Sequence, residues 1–139
     1  MRAKRGLYRP NPELEGGALA NDRHYIEAMS KSPIRDFHAH LYYDPGEVDH
    51  ARAVAAALTE RWPLPVGHFH LRPVGPHPRG SVQITVPTNR FGEVAQWLAL
   101  NRGGLTVFAH ASTGDDLADH TNHVIWFGPS EPLSLSMFD

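Results

Sequence analysis

The sequence predicts an α+β domain with a ferredoxin-like split βαβ arrangement, in which two helices cover one face of an antiparallel sheet. Three observations indicate this class. Short segments alternate apolar and polar residues as strands do, and longer segments carry apolar residues at helical spacing. The two kinds of segment follow one another in the order β-α-β-β-α-β, with a short extra strand near the C-terminus.

The first half of this order begins after Pro33. Residues 35–43 (RDFHAHLYY) alternate, so their histidines share one face of a strand and their apolar residues the other. Residues 44–62 have apolar residues at helical spacing and predict a helix that stops before Pro63. Residues 66–74 (VGHFHLRPV) alternate again and predict the second strand.

The second half repeats the pattern. Residues 81–87 (SVQITVP) alternate and predict the third strand. Residues 89–104 predict a helix with Asn89 as its N-cap and glycine at its end. Residues 105–110 (LTVFAH) and 124–128 (VIWFG) predict the fourth and last strands, joined by a loop with a short helical turn.

The N-terminal residues differ in composition from the rest of the chain. The run GLYRPNPELEGG is rich in proline and glycine, which is typical of extended or poorly ordered segments. We therefore expect residues 1–33 to form an extension, poorly ordered or with a short helix before Pro33. Residues 34–139 are expected to form the domain.

Charge and composition exclude several classes of function. The 139 residues include 13 basic and 15 acidic side chains, for a formal net charge of −2, which disfavours a nucleic-acid surface or a membrane-binding patch. We expect no membrane segment and no apolar leader. The absence of cysteine excludes disulfides and thiolate metal sites and agrees with a cytoplasmic location. Histidine is unusually frequent, with 10 residues.

The predicted topology brings histidines together on the sheet face that the helices leave uncovered. We take the first and third strands to run parallel, which places four histidines at one end of the sheet: His38, His40, His77 and His110. Residues two apart on a strand are separated by roughly 7 Å, so both imidazoles can reach one ion. Imidazole suits zinc, iron, copper or nickel. The sequence therefore predicts a metal-dependent enzyme, redox or hydrolytic.

Other readings of single residues stay open. His24 and His50 are isolated and are expected to be surface groups. His68 and His70 fit equally well as polar residues on a solvent-facing strand. The carboxylates nearest the cluster in sequence are Asp36 and Asp119, and neither position singles it out as a ligand.

Several motifs carry a more specific signal. They are the His-x-His-x-Tyr strand HAHLYY, the turn in PVGPHPRGSVQITV, and WLALNRGGLTVFAHASTGDDLADHTNHVIWFG, with its Asn-Arg-Gly helix end, strand-ending histidine and Asp-His pair. In this order they resemble the DOPA 4,5-dioxygenase family of fungal and bacterial ring-cleaving enzymes. The resemblance covers about residues 34–130, with Tyr43 where the family often has phenylalanine.

This resemblance implies extradiol cleavage of a catechol, DOPA-like substrate by Fe(II) and O₂ to a muconate semialdehyde, with zinc or another divalent metal able to occupy the site. We expect His38, His77 and His110 as the first-choice ligands and His40 as the alternate. His120 or His70 is expected to be the acid/base group. Arg72 and Tyr42 are expected to contact the substrate, Arg72 through a carboxylate.

Two alternatives belong to other classes of protein. One is a dimeric α+β barrel that binds a ligand or haem, or acts as a monooxygenase without non-haem iron. The other is a metal-dependent hydrolase. The uncovered, ligand-rich sheet face also leads us to expect a homodimer.

Overall fold

The computed structural model describes residues 33–138. Apart from Pro33, the expected N-terminal extension lies outside these residues. Two 3-10 turns, Pro45–Glu47 and Ser136–Phe138, accompany seven longer elements. In chain order these are β1 (Asp36–Tyr43), α1 (Val48–Arg61), β2 (Gly80–Val86), α2 (Thr88–Asn101), β3 (Thr106–Ser112), α3 (Asp116–Thr121) and β4 (Val124–Phe127).

The four strands form one sheet in the order β2-β1-β3-β4, and every neighbouring pair is antiparallel. Residues 33–138 are therefore α+β, as the sequence predicts, with a four-stranded antiparallel sheet and three α-helices. β1 lies in the interior of the sheet, between β2 and β3. In the register His38 lies opposite Thr85 on one side and opposite His110 on the other.

The parallel pairing that we expected between the first and third strands is wrong. β2 enters the sheet where β1 leaves it, with Gly80 opposite Tyr43. Residues 66 and 70 pair antiparallel with β2, so this segment runs parallel to β1, and the chain reverses direction between residue 70 and Gly80. β2 therefore runs opposite to β1.

The predicted second strand, residues 66–74, is reduced to two isolated bridges, Val66 with Ile84 and His70 with Ser81. Proline at the two ends of this segment supplies no N–H for a ladder, and such residues favour irregular edges. The segment therefore runs along the free edge of β2 without becoming a full strand.

The helices and the apolar faces of the strands form the core, as predicted. Alternate residues of β1 point towards α1 and α2, where they pack against Leu58 and Leu98. The buried set from the strands is Ala39, Leu41, Tyr43, Val82, Ile84, Val86, Val107 and Ala109. The hydroxyl of Tyr43 donates to the carbonyls of His70 and Ser81, so the edge segment is tied to the core.

One helix boundary differs from the prediction. α2 begins at Thr88, and Pro87 rather than Asn89 occupies the N-cap position. Pro87 has φ −64° and ψ 151°, an extended conformation, and the helix starts directly after it. Asn89 therefore lies inside the first turn.

Candidate metal centre

Three histidines form a compact group on the sheet face opposite α1 and α2. His38 and His40 project from β1 and His110 from β3, and one ring nitrogen of each lies within 4.8 Å of those of the others. His40 is 5% exposed and His110 is 3% exposed, whereas His38 is half-buried. Strand alternation puts the first two on one face, and the register brings the third beside them.

The spacing of His40 and His110 suits a shared ion. Their Nε2 atoms are 3.2 Å apart. Two nitrogens bound at about 2.1 Å to one ion, at tetrahedral or octahedral angles, stand roughly 3.0–3.4 Å apart. The two rings therefore already have the separation of neighbouring ligands.

Protonation of the rings also suits a metal. The Nδ1–H of His110 donates to the carbonyl of Ala111 at 2.9 Å, which places the ring's lone pair on Nε2. Burial, with neighbouring imidazoles, holds the pKa of His40 well below its usual value and lowers that of His110 to about 4. Both rings are neutral at pH 7, and neutral imidazole is the form that binds metals.

A carboxylate adjoins this group. Asp36 Oδ1 lies 3.3 Å from His38 Nε2, and it is buried with no hydrogen-bond partner among residues 33–138. A buried carboxylate oxygen without a partner is costly, and a cation beside it removes that cost. Three imidazoles with an adjacent carboxylate fit iron, zinc or a similar divalent ion.

His77 lies next to the group but outside it. It occupies the turn before β2, and its ring centroid is 4.2 Å from that of His40. Its Nδ1 is 2.7 Å from the hydroxyl oxygen of Tyr42. Burial and nearby imidazoles lower its pKa to about 4. The antiparallel pairing brings His77 in at the Tyr42 end of β1, and not at the His38 end as expected.

His120 approaches the group from α3, the short helical turn that the sequence predicted within this loop. Its ring centroid is 4.3 Å from that of His110 and 4.5 Å from that of Phe138. Its Nδ1–H donates to the carbonyl of Asp116 at 2.7 Å. In the neutral ring Nε2 therefore carries a lone pair, which makes His120 a ready proton acceptor.

Asp119 does not serve the histidine group directly. Its carboxylate accepts hydrogen bonds from the backbone N–H and hydroxyl of Thr113 and from His123. Burial acts to raise the pKa of this carboxyl, but those hydrogen bonds outweigh it and hold the pKa at about 2. Asp119 thus anchors the loop between β3 and α3.

A cavity of about 330 Å³ opens beside the group, within the size range of small-molecule sites. His40 and His77 line it together with His70, a predicted acid/base residue. Arg72 does not border this cavity. It lines a second cavity of about 410 Å³ with Arg52, and the two cavities share wall residues at 68, 70 and 74.

Aromatic residues complete the site, and the sequence analysis missed them. Phe108 lies opposite His40 in the register, fully buried, with ring centroids 5.8 Å apart. Trp126 packs on Phe108 at 4.6 Å. Phe108 is two residues before His110 on the same strand, so alternation alone would have placed it on the histidine face.

No helix within residues 33–138 is long and apolar enough to cross a membrane.

Comparison with known proteins identifies a family and a sequence relative that this chain resembles. A sequence model of the Dopa 4,5-dioxygenase family matches residues 37–137. The chain is 33% identical over 120 residues to a protein named DOPA 4,5-dioxygenase from Amanita muscaria, an alignment that covers 80% of this chain. That alignment covers 53% of the Amanita protein, so this chain spans about half of its length.

One further sequence relative and one solved structure are similar to this chain. An uncharacterized 21.2 kDa protein of Botryotinia fuckeliana is 31% identical over 139 residues, covering 91% of this chain and 75% of that protein. A crystal structure of a candidate dioxygenase from Nostoc punctiforme PCC 73102 superposes with a TM-score of 0.71 at 39% identity. It covers 73% of this chain and 88% of the Nostoc chain. From the match over residues 37–137, the chain belongs to the Dopa 4,5-dioxygenase family.

Proposed function

We propose that this protein is an extradiol dioxygenase, which uses Fe(II) and O₂ to open the ring of a catechol, DOPA-like substrate to a muconate semialdehyde. The observation that carries the proposal is the group His38, His40 and His110 beside a cavity of substrate size. Family membership and the name of the Amanita relative support the choice of dioxygenase over hydrolase.

In this proposal His38, His40 and His110 hold the metal. The sequence favoured His77 over His40, but the 3.2 Å separation of the His40 and His110 Nε2 atoms supports His40. Bound iron would bring a deprotonated catechol and O₂ together and allow electrons to pass between them. Asp36 either completes the ligand set or orients His38 from 3.3 Å away.

In this proposal, side chains of the protein accept a proton from the substrate and exclude water from the site. His120 accepts a proton from a catechol hydroxyl at Nε2, because its Nδ1–H is held by the Asp116 carbonyl. His70, on the cavity wall, is the alternate for this role. The buried ring of Phe108, with the partly buried Trp126 packed on it, would keep water away from the metal-facing side.

Substrate selection remains part of the proposal. An amino-acid-like catechol that extends past His70 would reach the second cavity, where Arg72 could bind its carboxylate. Arg72 is exposed and has no ion pair among the described residues. Tyr42 would act on the substrate only through His77, which holds its hydroxyl.

We also propose that the protein forms a homodimer. Large apolar side chains such as Leu71, Ile125 and Met137 are exposed in the single chain, and an interface between two copies would bury such groups. Light scattering on the purified full chain tests the point. A monomer across the working concentration range would contradict it.

The experiment for function is anaerobic reconstitution with Fe(II), followed by a panel of catechols read by O₂ uptake and by a visible-wavelength product. We expect both signals together, and neither in a His110→Gln variant of normal fold. A Soret band in the purified protein would support the haem-binding alternative. Catechol loss without O₂ uptake would support the hydrolase.

A further inference from the structure

Three histidines around the centre each make a hydrogen bond through Nδ1, and the partner of that nitrogen differs among them. His110 and His120 face backbone carbonyls, which only accept, so each ring must carry its proton on Nδ1. His77 faces the hydroxyl of Tyr42, which can donate. The partner fixes which nitrogen of a neutral ring is protonated, and hence what the other nitrogen can do.

The Tyr42 hydroxyl donates to His77. Tyr42 is 0% exposed, and within residues 33–138 its hydroxyl has one hydrogen-bond partner, His77 Nδ1 at 2.7 Å. If Nδ1 carried a proton, the phenol hydrogen would be buried without an acceptor, at a cost of about 1–3 kcal/mol. The arrangement without that cost has Nδ1 accepting, which leaves the ring proton of His77 on Nε2.

We propose that Tyr42 is a positioning residue that locks His77 as an Nε2–H hydrogen-bond donor, so that His77 works beside the metal and not as its ligand. The proposal rests on the proposed function for its chemical meaning. His77 lines the same cavity as His40, so its Nε2–H would donate to an oxygen of the bound catechol that has lost its proton.

His40 differs from His77 in the hydrogen bonding of its Nδ1. Its Nε2–H donates to His110 Nε2, so it too carries a proton on Nε2. None of the described residues bonds its Nδ1, however, so the proton can leave Nε2 when a metal arrives. In His77 the Tyr42 hydroxyl already fills the Nδ1 lone pair. Ligation through Nε2 would require Tyr42 to lose its acceptor.

The surrounding chain restrains the His77 ring. Proline precedes and follows it, and the Ser134 N–H donates to the Pro76 carbonyl at 2.9 Å. Two residues later Arg79 forms a two-point contact with Glu131, at 3.0 and 2.9 Å. The turn is thus anchored to the C-terminal segment, which limits any rotation that would give His77 another partner.

The first test reads the ring proton directly. Two-bond ¹H–¹⁵N spectra of the full chain are recorded without metal and with Zn(II), and His77→Gln identifies the His77 signals. We expect His77 to carry its proton on Nε2 in both states, while zinc changes the Nε2 signals of His40 and His110. A proton on Nδ1 of His77, or a zinc-bound Nε2, would overturn the proposal.

Tyr42→Phe tests the positioning role without a large change of volume. We expect His77 to lose its single tautomer and to show signals of both forms. An unchanged Nε2–H form in this variant would show that Tyr42 does not set it. Tyr43→Phe is the matched control, because its hydroxyl bonds the backbone carbonyls of His70 and Ser81 and no histidine ring, and the tautomer of His77 should be unaffected.

The second test compares zinc stoichiometry in His77→Gln and His110→Gln, with circular dichroism to confirm folding. We expect wild-type stoichiometry in the first and loss in the second. Loss of zinc from a folded His77→Gln protein would contradict the proposal.

The tautomer of His77 and the zinc stoichiometry are both measured without turnover. Failure of catechol cleavage would therefore reject the proposed function and would leave the role of Tyr42 standing. Failure of wild type to bind zinc would reject the metal site, and the tautomer in the metal-free chain would still decide the role of Tyr42.

Discussion

His38 of β1 lies directly opposite His110 of β3 in the sheet register, with ring centroids 5.0 Å apart. The pairing connects two residues 72 positions apart in the chain through backbone hydrogen bonds alone. His40, two residues along β1, points the same way, so the sheet itself builds the three-histidine group. A site built on paired strands is more rigid than one built on loops.

Loss of a ligand should remove the metal. We expect His110→Gln to lower metal affinity by more than about 100-fold, because changing a residue that only hydrogen-bonds a ligand already costs about 10- to 100-fold. Metal content after dialysis, with circular dichroism, measures this. His50→Gln is the control, since His50 is exposed and bonds Gly103. Full metal content in folded His110→Gln protein would remove His110 from the ligand set.

His120 should separate proton transfer from metal binding. We expect His120→Gln to keep its iron and to lower the single-turnover rate by about 10²- to 10⁴-fold, the usual contribution of a general acid or base. Iron content and turnover are measured on the same preparation. If His120→Gln is purified without metal, His120 is a ligand and its proposed role is wrong.

Asp119 should make stability depend on pH. Its folded pKa of about 2 lies below the usual 3.8, so the stability it contributes is present above about pH 4 and is lost as the pH falls through 2. In Asp119→Asn the amide would face the Thr113 donors, at a cost of about 1–3 kcal/mol at pH 7. Urea unfolding at pH 7 and near pH 2 measures both. An equal loss at the two pH values would contradict this account.

Gly80 should be intolerant of a side chain because β2 enters the sheet there. A Cβ at this position would lie 2.9 Å from the His70 carbonyl oxygen and 2.9 Å from the Tyr43 ring. We expect Gly80→Ala to cost about 1–3 kcal/mol, as for other overpacked sites. Gly92→Ala is the matched control: nothing lies within 4 Å, and α2 should gain up to about 1 kcal/mol. Equal unfolding midpoints for the two variants would contradict the packing argument.

Local sequence patterns predicted which way side chains face, but not how strands pair. Alternation placed His38, His40 and His110 on the face away from the helices, because side-chain direction depends on the residue's own strand. Strand direction depends on the number of reversals between strands, and the reversal between the predicted second strand (residues 66–74) and the predicted third strand was left out of the count. The wrong parallel pairing followed, and with it the expected approach of His77 from the His38 end.

The roles of the histidines depend on contacts that no spacing encodes. Nothing in the sequence shows that His77 Nδ1 meets the Tyr42 hydroxyl or that His110 Nδ1 meets a carbonyl. These tertiary hydrogen bonds distinguish a candidate ligand from a candidate donor. Phe108 was missed for a different reason: a buried phenylalanine carries no chemical signal unless its strand neighbours are already known to form a site.

The central claim is that this chain inserts oxygen from O₂ into a catechol ring. The most direct measurement is the mass spectrum of the product formed by the Fe(II)-loaded protein under isotope-labelled O₂. The account predicts a ring-opened product whose new carboxylate carries the label. Label in the aldehyde is not diagnostic, because aldehydes exchange oxygen with water. A ring-opened product without label, or labelled product with the ring intact, would contradict extradiol cleavage.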